Sequence, residues 1–157
     1  MIVGAQEGWL VRLTINRPDK AYSLTKAMLA ELRAAVRSAQ AARAVVITGT
    51  GDKVFSAGAD LPEAKTGLTT DPIWEELSGA IAELPCLSVA ALNGTLAGGA
   101  FGMALACDIR LAVPQASFFY PVAKLGFLPQ PSDPGRLTAL VGPGRAKLIL
   151  MAAQKIT

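Results

Sequence analysis

The sequence predicts an α/β fold, because strand-like and helix-like segments alternate along its 157 residues. Two short apolar runs, AVVITG (44–49) and LSVAALNG (87–94), are typical of strands buried on both faces. Between them lie segments with helical spacing and clusters of turn-forming residues. A chain of this length has room for one domain with its own core, so residues 1–157 are expected to form a single domain.

The first third of the chain predicts a hairpin followed by a helix. Residues 9–15 (WLVRLTI) alternate as a strand does, and the preceding MIVGA can pair with them. Thr25 is a suitable N-cap for a helix that runs to about Ala42. The apolar stripe of this helix consists of Met28, Leu29, Leu32, Ala35, Val36 and Ala39. After strand 44–49, the small-residue segment that follows is predicted to be a loop.

The remaining elements continue the alternation. A second helix is expected over about 71–83, closed by Pro85, and a third over 98–106. Asp133 followed by a proline resembles an N-cap with proline at the first helical position. The expected late elements are strands at 108–113 and 116–120 and helices at about 134–141 and 143–153.

Composition excludes several classes of function. The chain has no histidine, which removes the commonest general base and most transition-metal sites. Its 15 basic residues are scattered singly, so a nucleic-acid partner is not expected. Cys86 and Cys107 lie in apolar runs and are interpreted as reduced core residues. We expect a cytoplasmic protein without a signal peptide, membrane anchor or metal site.

Two glycine-containing segments carry the functional interpretation, FSAGAD (55–60) and NGTLAGGAFG (93–102). Neither fits a dinucleotide fingerprint or a P-loop. Both can present free backbone N–H groups to one oxygen, one from a tight loop and one from a helix N-terminus, as an oxyanion hole does. The alternative is that these glycines serve only the close packing of helix on strand.

These segments belong to a longer set of motifs. The set consists of INRPDKAYSLTKAML, VVITGTGDKVFSAGADL, ALNGTLAGGAFGMALACDIRLA, KLGFLP and LVGPGRAKLILMAAQKIT. In order and spacing they resemble the enoyl-CoA hydratase/isomerase (crotonase) superfamily over almost the whole chain. The resemblance implies a spiral of ββα units, assembly as a homotrimer or a dimer of trimers, and binding of acyl-CoA thioesters. Coenzyme A would enter as part of the substrate, with no permanently bound cofactor.

The resemblance also assigns roles to particular residues. It places the two N–H groups that hold the thioester carbonyl at Ala59 and Gly99. Asp60 and Asp108 are expected to be structural, Asp60 as a helix cap. The positions that it implies line coenzyme A are Lys20, Ala21, Ser56 and Ala57.

The departures from the family pattern concern its acids and bases. Hydratases of the family carry two glutamates beside the substrate, and these positions read Gly102 and Val122 here. A third acidic position, used by some dienoyl isomerases, falls on Gln130. Because these carboxylates are missing, we expect atypical or weak catalysis. The family normally continues into C-terminal helices beyond the last residue of this chain, so we expect either a fragment or an unusually short member of the family.

Few side chains could replace the missing carboxylates. Tyr120 lies two residues before Val122 and, on a strand, would face the same way and could donate a proton. Ser132 and Asp133 lie in a loop nearby, Asp133 being more typical of an N-cap. Three functions stay open: an acyl-CoA enzyme with an unusual reaction, a non-catalytic acyl-CoA binder, and a structural subunit with a decayed site.

Overall fold

Eight strands form two sheets in the structure, a computed structural model that describes residues 1–157. The larger sheet has five strands in the order β1-β2-β3-β5-β7, and the smaller has three in the order β4-β6-β8. Only the β1–β2 hairpin is antiparallel. The strands are β1 (Ile2–Glu7), β2 (Leu10–Ile15), β3 (Ala44–Gly49), β4 (Val54–Ser56), β5 (Leu87–Leu92), β6 (Thr95–Ala97), β7 (Ile109–Ala112) and β8 (Phe118–Phe119).

Six α-helices connect and cover these strands. They are α1 (Lys26–Ser38), α2 (Leu61–Ala64), α3 (Ile73–Ala82), α4 (Phe101–Ala106), α5 (Asp133–Val141) and α6 (Pro143–Leu150). Strands β3, β5 and β7 of the large sheet are each followed by a strand of the small sheet and then by a helix: β3–β4–α2, β5–β6–α4 and β7–β8–α5. This repeat is the spiral of ββα units that the sequence analysis expects, so the predicted fold class is confirmed.

The helix α1 follows its sequence signals closely. The Thr25 hydroxyl accepts a hydrogen bond from the Met28 N–H at 3.2 Å, which is the capping contact that the sequence predicts. Leu32 and Val36 on its apolar stripe are completely buried against the sheet and α3. The α-helix ends at Ser38 rather than Ala42, and a single 3-10 turn, Ala39–Ala41, continues it.

Two short strands, β4 and β6, lie where the sequence analysis expects loop and turn. Each has only three residues, too few to show an alternating pattern. Their strand geometry comes from pairing with each other in parallel, and β6 also pairs with β8. The expected strands 108–113 and 116–120 are likewise shorter, and α6 ends at Leu150 instead of about Ala153.

The chain turns from the large sheet to the small one at Asn93 and Gly94. The Asn93 side chain accepts from the Gly49 N–H at 3.0 Å and donates to carbonyls of the β3–β4 segment, including Val54 at 3.2 Å. Gly94 lies so close to the backbone of Lys53 that a Cβ there would stand 2.1 Å from the Lys53 carbonyl carbon. Only glycine fits this crossing, which sets the position of the β6 strand and of everything that follows it.

None of the helices is both long and apolar enough to cross a membrane. Both cysteines are free thiols, Cys107 being buried and Cys86 partly buried. Burial raises the pKa of the Cys107 thiol to about 12. Their placement agrees with the interpretation of both as unpaired core residues.

We predict that Gly94→Ala destabilises the protein by at least about 3 kcal/mol, because its methyl group would collide with main chain that cannot rotate away. Gly135→Ala is the matched control: Gly135 lies in α5 with open space around it. This control should be neutral or more stable by up to about 1 kcal/mol. Urea unfolding followed by circular dichroism measures both, and equal stabilities of the two variants would contradict the prediction.

Candidate functional site

The loop after β4 and the turn after β6 touch through main chain alone. Gly58 has φ +90°, and a Cβ on it would lie 2.9 Å from the Ala97 carbonyl oxygen and 3.4 Å from the Gly99 nitrogen. Gly98, with φ +57°, turns the chain out of β6 into the 3-10 turn Gly98–Ala100. The structure therefore brings together the two segments that the sequence analysis singles out.

The first segment leaves a backbone N–H without a partner in the chain, and the second presents one at the start of a helical turn. Leu24 donates to the Gly58 carbonyl at 2.7 Å and accepts from the Asp60 N–H at 2.9 Å, so one edge of the loop is paired. The Ala59 N–H between them faces the other edge and makes no hydrogen bond. Gly99 lies in a first helical turn, where N–H groups have no carbonyl one turn below them. These are the two donors that the resemblance assigns.

Ala59 and Gly99 line the same apolar cavity, the inner cavity, of about 140 Å³. Trp74 forms one wall, its ring within 3.3 Å of where a Gly99 Cβ would stand and its Nε1–H bonded to the Leu68 carbonyl at 2.8 Å. No charged side chain lines this cavity. Its lining also includes Ala57, Leu61, Phe119, Tyr120, Val122, Leu125, Phe127, Leu128 and Gln130.

A second space, the outer cavity, adjoins the first and is larger, about 690 Å³. The two share Ala57, Ala59 and Leu61. Lys20 and Ala21 line the outer cavity, in the 3-10 turn Pro18–Lys20 and directly after it. Three of the four residues expected at coenzyme A thus lie around one space, and Ala57 lies at its junction with the inner cavity.

Ser56 differs from that expectation. Its side chain is completely buried, and its hydroxyl donates to the Tyr22 carbonyl at 2.8 Å and accepts from the Gly58 N–H at 3.2 Å. It therefore holds the loop in shape and offers no side-chain contact to a ligand.

An ion pair connects a residue that lines the outer cavity to the loop that contains Ala59. Arg17 Nη1 lies 2.7 Å from Asp60 Oδ2, and Asp60 is buried. The same guanidinium donates to the Ser23 carbonyl at 3.1 Å. Asp60 also accepts from the Glu63 N–H at the start of α2, which is the capping role that the sequence predicts. The conformation of residues 17–24 and the placement of the Ala59 N–H are consequently linked.

The prediction that Tyr120 and Val122 face the same way from one strand is wrong. The strand β8 ends at Phe119, and Pro121–Leu125 form a 3-10 helix, so Tyr120 and Val122 are not on one strand. Both nevertheless line the inner cavity. The Tyr120 ring is buried and stacks on Phe101, with centroids 5.1 Å apart and planes at 6°.

Asp133 corrects another expectation, that it caps a helix. It is the first residue of α5, with Ser132 at the N-cap position, and its side chain is completely buried and caps nothing. Its Oδ2 accepts from the Tyr120 hydroxyl at 2.6 Å, and its Oδ1 has no hydrogen-bond partner. The Asp-Pro pair is a local signal that predicts a cap, whereas burial of the carboxyl depends on the distant helix α4.

The space that the Asp133 carboxyl occupies lies beside Gly102. A Cβ at Gly102 would stand 3.1 Å from Asp133 Oδ1, so the absence of a side chain in α4 accommodates the carboxyl group from α5. Burial, followed by the charge of Glu75, raises the pKa of Asp133 to about 6, against the lowering effects of the Tyr120 hydrogen bond and Arg136. Burial and the neighbouring carboxyl also raise the pKa of Tyr120.

Comparison with known proteins decides the family. A family model described as enoyl-CoA hydratase/isomerase matches residues 5–157. The chain belongs to the enoyl-CoA hydratase/isomerase family. A probable enoyl-CoA hydratase, echA6, from Mycobacterium tuberculosis is 35% identical over 159 residues, which cover all of this chain and 65% of that protein. The short-chain-enoyl-CoA hydratase of Clostridium acetobutylicum is 34% identical over 167 residues, covering 99% of this chain and 62% of the relative.

Solved structures of the family agree with the fold. An enoyl-CoA hydratase from Bacillus anthracis superimposes with a TM-score of 0.87 at 31% identity, covering 99% of this chain and 64% of that one. The chain therefore spans somewhat less than two thirds of the length of these family members.

The raised pKa of Asp133 makes stability depend on pH. Because the buried carboxyl binds its proton more tightly than in the unfolded chain, its contribution is fully present below about pH 4 and is lost as the pH rises through about 6. Relative to Asp133→Asn, whose amide does not titrate, the wild type should lose about 3 kcal/mol between pH 4 and pH 7. Denaturant unfolding of both proteins at each pH measures this difference, and a constant difference would contradict the assignment.

Proposed function

We propose that the protein binds acyl-CoA thioesters, with the thioester carbonyl oxygen accepting hydrogen bonds from the N–H groups of Ala59 and Gly99. One observation carries this proposal: two backbone donors, at least one of them free of any partner in the chain, border one apolar cavity. Preorganised donors in a water-poor site stabilise the negative charge that develops on such an oxygen. The two relatives are named as enoyl-CoA hydratases, which supports a thioester as the ligand.

The two cavities suit the two ends of such a ligand. The outer cavity contains the exposed Lys20 beside Arg17, and a cation there fits the phosphates of coenzyme A. The inner cavity has an apolar rim, where Leu61, Leu125 and Leu128 are 76%, 66% and 87% exposed. An acyl chain would cover this rim, which is otherwise left in water.

The resemblance places the family's two glutamates at Gly102 and Val122, so we propose a reaction that is atypical or weak. A positioned acid or base contributes about 10²–10⁴ in rate, and one oxyanion-hole donor about 10²–10³. Without the carboxylates, hydration of an enoyl thioester would keep only the contribution of the hole. Stabilisation of an enolate, as in a decarboxylation, stays within its reach.

A second candidate is a non-catalytic acyl-CoA binder. The absence of any charged side chain from the lining of the inner cavity favours it. A structural subunit with a decayed site is the third possibility, and the Ala59 N–H, which no group of the chain satisfies, argues against it. The trimer, or dimer of trimers, implied by the resemblance stays a prediction for analytical ultracentrifugation.

The carbonyl contact can be tested by pairing ligands with variants. We expect an acyl-CoA thioester to bind about tenfold more tightly than the S-alkyl-CoA thioether of equal chain length, which lacks the carbonyl oxygen. Ala59→Pro removes one of the two N–H groups and should reduce this preference, whereas Ala59→Ser keeps the N–H and the full preference. Isothermal titration calorimetry measures the affinities, and thermal unfolding shows that each variant is folded.

A wild-type protein that binds both ligands equally would overturn the carbonyl contact. One that binds neither would leave the structural subunit as the remaining candidate.

Restoring the family's two glutamates, at positions 102 and 122, also requires a substitution of Asp133. Glutamate at Gly102 alone would meet the Asp133 carboxyl, because even a Cβ comes within 3.1 Å of it. We therefore expect Gly102→Glu/Val122→Glu to stay inactive on crotonyl-CoA, and the same pair combined with Asp133→Gly to gain hydration by at least about 100-fold. Hydration is followed by loss of enoyl absorbance, and hydratase-level turnover by the wild type would contradict the proposal of weak catalysis.

A further inference from the structure

A buried carboxyl with an unused oxygen is the feature that the proposed oxyanion hole does not explain. Asp133 is wholly inaccessible, and its Oδ1 has no partner. Such a group costs about 1–3 kcal/mol when left unsatisfied, and more when charged. Its other oxygen bonds to the hydroxyl of Tyr120, a residue that lines the inner cavity with Ala59 and Gly99.

We propose that Tyr120 exchanges a proton with the acyl ligand and that Asp133 acts through Tyr120. The Asp133 carboxyl would then replace the family's glutamate, whose position in this chain is Gly102. The inference rests on the proposed function, because the ligand is the thioester held at Ala59 and Gly99. Tyr120 would be the catalytic residue, and Asp133 a positioning residue that accepts or supplies the proton.

The hydrogen bonds at the Tyr120 oxygen permit both directions of transfer. The oxygen accepts from the Gln130 N–H at 3.3 Å and lies 2.6 Å from Asp133 Oδ2. With Asp133 ionised, the phenolic proton is directed to the carboxylate. With Asp133 protonated, the carboxyl can donate to the phenol oxygen, and the phenolic proton is no longer required for the bond to Asp133.

The proton-transfer step balances without any further reactant. The C–H bond at the thioester α-carbon breaks, and its electron pair passes into the enolate, whose oxygen the two backbone N–H groups hold. The proton moves to the Tyr120 oxygen while the Tyr120 proton moves to Asp133 Oδ2. The products are the enolate, a neutral phenol and a protonated Asp133, and the reverse step returns a proton to the carbon.

Burial of Asp133 raises the pH at which this relay operates, and the charged groups around it adjust that pH. Glu75 of α3 opposes ionisation, and Arg136 of α5 favours it. Glu75 also accepts hydrogen bonds from Ser132, next to Asp133. The helix α4, which packs on the other side, contains no titratable residue. A carboxyl that titrates at about pH 6 is ionised at neutral pH and can accept the proton.

The test is exchange of the α-hydrogens of a saturated acyl-CoA for deuterium in D₂O, followed by mass spectrometry. The wild type should catalyse exchange above the buffer rate, and Tyr120→Phe and Asp133→Asn should each reduce it by at least about 100-fold. The matched control is Asp52→Asn, which lies outside the lining of both cavities and should exchange like the wild type.

A pH profile separates a relay from a purely structural role. Exchange by the wild type should fall as the pH decreases through about 6, and the residual exchange of Asp133→Asn should lack that step. This profile needs no variant to fold, so the inference stays testable if Asp133→Asn does not.

Binding measurements separate this inference from the proposed function. Acyl-CoA binding without exchange, or with exchange that survives in folded Tyr120→Phe, would overturn the relay and leave the backbone hole standing. Absence of acyl-CoA binding by the wild type would overturn both.

Discussion

Direct contact between two stretches of backbone is the constraint on which the site depends. At Gly58 the loop after β4 approaches Ala97 and Gly99 so closely that no side chain fits between them. The approach requires two glycines with positive φ, Gly58 and Gly98, and a third glycine at 94 that lets β6 cross the Lys53 backbone. Because main chain has no rotamers, donors placed in this way are held more rigidly than donors on side chains. The cavity walls and the ion pair between Arg17 and Asp60 are arranged around this contact.

A second structural constraint is the packing between α4 and α5, where a missing side chain on one helix accommodates a carboxyl group from the other. Gly102 leaves a space in the core, and the carboxyl of Asp133 occupies it. Burying a carboxyl is unfavourable unless it is hydrogen-bonded or protonated, and here a single strong hydrogen bond, from Tyr120, is combined with a raised pKa. The chain has therefore kept a titratable group close to its inner cavity while no charged residue lines the cavity itself. Perturbed groups of this kind are more frequent at functional sites than elsewhere, although structural networks also contain them.

Family membership establishes the fold of this protein, whereas its function depends on the residues of the site. Similarity over residues 5–157 and the superposition on solved members fix the fold and the family. Function depends on which side chains surround the donors, and the inner cavity carries Val122 and Tyr120 there. Fold alone does not determine chemistry, so the proposals made for this chain depend on those side chains rather than on the family name.

The sequence by itself determined the alternation of strands and helices, the cap of α1 at Thr25, the two glycine segments and the family. These are local signals, written in spacing and in residues that favour particular backbone angles. It did not determine the short strands β4 and β6, whose geometry comes from partners distant in sequence. It did not determine the role of Asp133 either. The Asp-Pro pair predicts a helix cap, whereas in the structure the carboxyl is buried in the space beside Gly102, 31 positions earlier. Only the tertiary structure could decide this, because burial and the resulting pKa depend on packing between helices that no local pattern records.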